Sequence, residues 1–287
     1  MISANDADPL APGLYLVATP IGNLEDITLR ALRILKEVEL IACEDTRHTQ
    51  KLLSHYGIAT RTTSYHEHNE AEKALELVAQ MKAGLPIALV TDAGMPGISD
   101  PGYRVVTATV EAGIAIIPVP GASALISALA ASGLPTDSFR FHGFLPAKRG
   151  QRRQTLESIR MTDYTQIFYE APHRIVEALQ DVIEILGAER KVVIARELTK
   201  IHEEILRGEA GSILATLTER ESVKGEIVLI IGRGDPDAAS KLTVGIYERT
   251  KQLMNEEKLD EKSALKRVAK ERGISKSEAY REWQRGQ

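Results

Sequence analysis

Short apolar runs recur along this chain, spaced so that one helix fits between most neighbours. Leu14-Tyr15-Leu16-Val17, Leu40-Ile41-Ala42-Cys43, Ile87-Ala88-Leu89-Val90 and Ile116-Ile117-Pro118-Val119 are continuous rather than alternating. That is the pattern of strands covered on both faces. The full set of predicted strands is 14–19, 40–44, 62–66, 87–92, 115–120, 140–145, 165–170, 192–197, 203–207 and 226–232. Between them, apolar residues return at helical spacing. Ile27, Leu29, Ala31, Leu32, Ile34 and Leu35 form one such stripe, residues 71–81 a second, and Ile175, Ala178, Leu179, Val182, Ile183, Ile185 and Leu186 a third, stopped by Gly187.

This alternation predicts an α/β fold. The early strands read as a mainly parallel sheet. Residues 203–208 follow the preceding strand too closely for a helical crossover, so part of a second sheet should be antiparallel. A boundary near 132–137 divides the chain into an N-terminal α/β domain, 13–133, and a second α/β domain, 134–236, after a flexible tail over 1–12. Residues 231–237 carry a Gly- and Pro-containing linker signal. Beyond it the pattern is wholly helical: 244–257, 262–272 and 276–285, with Ser275 as N-cap of the last. Two helices joined by a Gly-containing turn suggest a helix-turn-helix-like module over 237–287. A small packing module fits the same pattern.

Composition narrows the class. No apolar run approaches the ~20 residues needed to cross a bilayer, and the tail, with Asp6 and Asp8, lacks the apolar core of a signal peptide. A single cysteine, Cys43, excludes a disulfide framework and reads as a core thiol, so a cytoplasmic location is the default expectation. A net charge of -4 argues against indiscriminate nucleic-acid binding. Two local basic segments stand out, Lys148, Arg149, Arg152 and Arg153 in an expected loop, and the region after Lys241. Each could equally be a solvated face.

The candidate chemistry lies at the strand ends, where ligands of open parallel sheets bind. Thr91-Asp92-Ala93-Gly94-Met95-Pro96-Gly97-Ile98-Ser99-Asp100-Pro101-Gly102 ends one strand in acids, Gly and Pro; Pro20-Ile21-Gly22-Asn23, Pro120-Gly121-Ala122-Ser123 and Glu170-Ala171-Pro172-His173-Arg174 end others. Gly permits close ligand approach. Phosphate-loop, dinucleotide and nucleophile-elbow motifs are absent. His66 and His68 sit one residue apart, a poor spacing for a helix-face metal site, and no metal is expected.

With Leu24-Glu25-Asp26-Ile27-Thr28, Glu44-Asp45-Thr46-Arg47, Gly143-Phe144-Leu145-Pro146 and Ala195-Arg196-Glu197-Leu198-Thr199-Lys200, these motifs, in this order, resemble the tetrapyrrole methylase superfamily, in its rRNA-modifying branch. The resemblance covers essentially the whole chain. It implies two α/β domains with a cofactor cleft between them, and transfer of a methyl group from S-adenosyl-L-methionine to the 2′-hydroxyl of a cytidine in the decoding region of 16S rRNA in the 30S subunit. It also implies a homodimer. The first loop departs from the Gly-rich turn of tetrapyrrole enzymes, and Met95 stands where a small or hydroxylated residue is usual.

On that resemblance Asp92 suits the cofactor's positive charge or its donors, and Gly94, Gly121, Ala122, Ser123 and Ala124 admit its adenosine. Ile21, Met95, Tyr169 and Gly225 complete the expected cofactor set. Glu170, His173, Glu197 and Lys200 are candidates for a base. Arg174 and Arg196 are placed on phosphate, with ion pairs Glu170–Arg174 and Arg196–Glu197 as the alternative. Lys148, Arg149, Arg152, Arg153 and Arg281 are assigned to RNA. Tyr280 and Trp283 either stack on an unpaired base or pack against Ile274 and Leu265. Two competing functions remain at this point, methylation of a small tetrapyrrole in the same cleft and a nucleic-acid-binding regulator built on the terminal helices.

Overall fold

The structure, a computed structural model, describes residues 9–234, 245–272 and 274–285. Most of the predicted tail and the Asp235-Pro236-Asp237 part of the linker lie outside the described residues. The first sheet holds β1 (Gly13–Val17), β2 (Leu40–Cys43), β3 (Thr62–Ser64), β4 (Pro86–Val90) and β5 (Ile116–Val119) in the order β3-β2-β4-β1-β5. All its pairings are parallel. Helices α1 (Leu29–Glu37), α2 (Thr46–His55), α3 (Glu70–Lys82), α4 (Tyr103–Glu111) and α5 (Ala124–Ser132) follow the strands in turn.

The continuous apolar runs are explained by two covered faces. Tyr15, Val17, Ala88 and Val90 pack with α1 and α2 residues such as Ile34 and Leu53. Their neighbours Leu14, Ile87 and Leu89 point the other way, onto Leu77 of α3 and Val105 of α4. Cys43 is fully buried on β2. Thr28 caps α1, its Oγ1 accepting from the Ala31 N–H at 3.0 Å.

The second sheet holds β6 (Phe139–Phe144), β7 (Thr165–Glu170), β8 (Lys191–Arg196), β9 (Glu204–Glu209) and β10 (Ile227–Ile231), in the order β6-β7-β10-β8-β9. Only β6–β7 is parallel; the other pairs are antiparallel. Helices α6 (Arg149–Ser158), α7 (Ile175–Leu186) and α8 (Ala210–Thr218) cover one face. The other face takes α5 from the first half: Leu125, Ala128 and Leu129 pack on Ile167, Val193, Val228 and Ile230. That one helix, starting at the end of β5, holds the strand-end loops of the first sheet over the second.

Three further helices, α9 (Ile246–Glu256), α10 (Glu261–Arg272) and α11 (Lys276–Arg285), share a core of their own with Leu253, Leu265, Val268 and Trp283. Ser275 caps α11, its Oγ accepting from the Glu278 N–H at 3.2 Å. Trp283 is only 4% exposed and its ring lies 4.8 Å from that of Tyr247. Of the two readings of Trp283, stacking on a base or packing, core packing takes it, in one cluster with Leu265 and Ile274. Tyr280 is exposed.

Candidate active site

A cavity of about 380 Å³ opens where the strand-end loops of the two sheets meet, a size typical of small-molecule sites. The first half contributes Ile21 after β1, Gly94, Met95 and Asp100 after β4, and Ser123 and Ala124 at the start of α5. The second half contributes Phe144, Tyr169 and Glu170 from the ends of β6 and β7, Leu198 after β8, and Gly225 before β10. Two backbone bonds fix the first wall. Thr19 N–H donates to the Gly94 carbonyl at 2.9 Å, and Gly94 N–H to the Thr19 carbonyl at 3.1 Å. Gly94 does this at φ +86°, a left-handed conformation that favours glycine.

The second wall is wedged. Glu197 and Thr199 sit at φ +53° and +65°, strained values for residues with side chains. The turn they form presses on both halves. A Cβ on Gly225 would lie 2.3 Å from Glu197 Cγ, and one on Gly22 would lie 2.4 Å from Lys200 Cγ. Thr199 Oγ1 accepts from the Asn23 N–H at 3.1 Å. Lys200 locks the turn through Glu197 at 2.9 Å and Glu226 at 3.2 Å. The two expected base candidates Glu197 and Lys200 thus neutralise each other and brace the cavity wall.

Of the expected cofactor set, Ile21, Gly94, Met95, Ser123, Ala124, Tyr169 and Gly225 line this cavity, while Asp92, Gly121 and Ala122 do not. Asp92 Oδ1 instead accepts from the Asp45 N–H at 3.3 Å. Gly121 is needed for packing, since a Cβ there would lie 2.9 Å from Ala18 Cβ. Of the acids in this loop, it is Asp100 that lines the cavity, a residue to which its motif assigned no role. Its carboxyl is pushed up to about 6, by burial first and then by the charges of Glu44 and Asp92. Burial and the charge of Asp92 also push Glu44 up.

Glu226 and Glu170 also line the cavity, and of these two Glu170 is the buried one. Its Oε1 accepts from Arg174 Nη2 at 2.5 Å and from the Ala171 N–H at 2.7 Å. Its Oε2 is buried without a hydrogen-bond partner among the described residues, an expensive state for an isolated protein group that a ligand donor would relieve. His173 is exposed on the turn before α7 and outside the lining.

The arginines expected on phosphate have partners within the fold. Arg174 is held by Glu170, and Arg196 pairs with Glu204 at 3.2 Å rather than with Glu197. The Lys148–Arg153 segment is the start of α6, not a loop. From it Arg152 Nε reaches Asp181 Oδ2 at 2.8 Å, and Arg149 and Arg153 reach Asp181 Oδ1 at 3.1 and 3.0 Å. Arg152 and Asp181 are 2% and 1% exposed as side chains. Arg152 is therefore a buried structural charge, a correction to its assignment to RNA. Arg149 and Arg153 are committed to Asp181 and Glu184. Lys148 and Arg281 are exposed.

The donor set fits a ligand that carries positive charge and an apolar face. Asp100 and Glu170 offer carboxylates, and Ile21, Leu198 and Val228 an apolar floor. The first amides of α5, beside Ser123 and Ala124, offer donors at the positive end of a helix dipole.

Residues 13–214 match the family Tetrapyrrole (Corrin/Porphyrin) Methylases, and the chain belongs to that family of methyltransferases. Uroporphyrin-III-C-methyltransferase from Thermus thermophilus shares the fold with a TM-score of 0.54 at 20% identity, over 77% of this chain and 94% of that one. The methyltransferase CobJ shares it with a TM-score of 0.58 at 19% identity, over 77% and 94%. Among sequence relatives, the chain falls with the proteins called ribosomal RNA small subunit methyltransferase I. It is 49% identical to that of Halalkalibacterium halodurans over 93% of each chain, and 47% identical to that of Escherichia coli O157:H7 over 96% of each.

Proposed function

We propose that this enzyme transfers a methyl group from S-adenosylmethionine to the 2′-hydroxyl of a cytidine in the decoding region of 16S rRNA, within the 30S subunit. The observation that carries this reading is the extent of the likeness. The methylase family match stops at residue 214, whereas the Halalkalibacterium halodurans and Escherichia coli O157:H7 rRNA methyltransferases align over 93% and 96% of the chain. Nearly full-length alignment takes in most of the C-terminal helices, which a small tetrapyrrole acceptor does not require.

When bound, the cofactor supplies an electrophilic methyl carbon on a sulfonium. The chain's own residues position and poise. Asp100 and Glu170 would hold its positive charge, Ile21, Leu198 and Val228 its apolar part, and the amides opening α5 an anionic group. The braced turn at Glu197–Lys200 fixes the walls, and holding an entering hydroxyl in a fixed position is where much of the acceleration would arise. Asp100 is the base. A carboxyl with a pKa of about 6 is ionised at neutral pH yet basic enough to take a hydroxyl proton as the oxygen attacks.

RNA is met by exposed basic residues, Lys148 and Arg281 among them. From residue 245 onward the chain carries eleven Lys and Arg against eight Asp and Glu, the reverse of the overall balance. Incubating the enzyme and labelled cofactor with 30S subunits from cells lacking it should label one cytidine ribose, mapped by its resistance to alkaline cleavage. Label absent from 16S rRNA, or placed on a base, defeats the reading. The enzyme acts as a homodimer in the cytoplasm; a monomer mass in light scattering at micromolar concentration would count against the dimer.

A further inference from the structure

The Gly143-Phe144-Leu145-Pro146 motif begins within the end of β6 and brings Phe144 to the cavity. Strand β6 pairs with β7 as Phe141↔Ile167 and then Phe144↔Tyr169, so three steps on β6 oppose two on β7. The extra residue is a bulge, and bulges re-aim side chains beside active sites. Gly143, at φ +72°, makes it possible. Without the bulge, Phe141 and Phe144 would point to opposite faces of the sheet. With it, both rings meet Tyr169 edge-on, at centroid distances of 5.0 and 5.6 Å. Phe141 is partly buried in the inter-sheet core, but Phe144 stays 60% exposed while lining the cavity. On the facing loop Ile98 also lines the cavity and is 44% exposed. The two loops meet closely, since a Cβ on Gly143 would lie 3.3 Å from Ser99 Oγ.

We propose that Phe144 is the stacking platform for the nucleobase of the acceptor nucleotide, with Ile98 closing over its other side. This rests on the 2′-O-methylation reading above. The base is joined to C1′, one bond from the carbon that bears the acceptor hydroxyl. If the hydroxyl enters the cavity, the base lies at its mouth, where these two apolar side chains are left uncovered. An unpaired base splayed from its stack is held this way in single-stranded RNA recognition. The T-shaped contact with Tyr169 orients the Phe144 ring, which stays 60% exposed.

The test compares Phe144→Ala, Phe144→Leu, Phe144→Tyr and Phe144→Trp with the wild type, using steady-state methyl transfer to 30S subunits and calorimetry with S-adenosylmethionine alone. Phe144→Ala should raise KM for 30S about ten- to a hundredfold, with cofactor affinity unchanged. Phe144→Leu, apolar but without a π face, should behave like Ala, and Phe144→Tyr like wild type. Phe144→Trp adds an exposed indole to a chain with a single, buried Trp. Its emission should be quenched by 30S subunits and not by cofactor.

A wild-type-like Phe144→Leu makes residue 144 an apolar lid and overturns stacking. So does a Phe144→Ala enzyme with unchanged KM, or one whose loss lies in cofactor affinity. Failure of the wild type itself to methylate 30S subunits in this assay defeats the parent reading, and stacking with it.

Discussion

Replacing Asp100 with asparagine is expected to slow methyl transfer by about 10²–10⁴-fold, the range for loss of a general base, and to make the protein more stable. The two effects have one cause. In the fold, burial and the charges of Glu44 and Asp92 hold the Asp100 carboxyl at about 6, above its ordinary 3.8. The folded state therefore binds this proton more firmly than the unfolded chain. The stabilisation is present below the unfolded pKa and is lost as pH rises through about 6. A shift of this size corresponds to roughly 3 kcal/mol, reduced to about 1–2 kcal/mol because the group is only partly buried. Asparagine keeps the shape and removes the charge. Urea denaturation should show Asp100→Asn more stable than wild type at pH 7.5 and equal to it near pH 4. Single-turnover rates of the wild type should fall below pH 6, and those of the variant should be low and flat. A variant within fivefold of the wild-type rate would remove Asp100 from the chemistry.

The largest stability effect is expected at Asp181. Burial alone would raise its carboxyl, but hydrogen bonds from Arg152, Arg149 and Arg153 outweigh this and hold it below the usual carboxylate range. Asp181→Ala strands the Arg152 guanidinium, 2% exposed, without its closest counter-charge. Breaking a buried pair from one side costs about 3–5 kcal/mol. Arg149→Ala, on a side chain 64% exposed, should cost under about 1 kcal/mol. Replacing Arg152 by Met and Asp181 by Leu together should recover most of the loss, because no buried charge is then left alone. The sign with pH is the reverse of that at Asp100. A lowered carboxyl contributes stability above its unfolded pKa and loses it as pH falls through the folded value. The gap between wild type and Asp181→Ala should therefore close in acid below about pH 4. A gap under 1 kcal/mol at pH 7 would show that the cluster is not structural.

Much of the fold was legible because its signals are local. Leu14, Tyr15, Ile87 and Ala88 are apolar in succession because consecutive side chains face two covered sides of one sheet. The antiparallel turn of β8 into β9 followed from the few residues between them. Ser275 caps its helix through a bond that reaches only three residues. Likewise the strand-end loops read as a ligand site because Gly and Pro act on the backbone where they stand. Gly94 and Gly225 do line the cavity.

The partners of charged side chains were decided by the tertiary structure alone. Arg149, Arg152 and Arg153 read as part of a basic patch because their counter-charges, Asp181 and Glu184, lie about thirty residues away on a neighbouring helix. Asp92 was the conspicuous acid of its loop, yet the backbone of Asp45, 47 residues away, takes its carboxylate and leaves Asp100 to the cavity. Phe144 became a cavity residue through one bulge in pairing with another strand. A backbone propensity is a property of a residue and its neighbours, so sequence carries it. Charge pairing, burial and a shifted pKa depend on which distant segments meet, and that is set only when the two sheets close on α5.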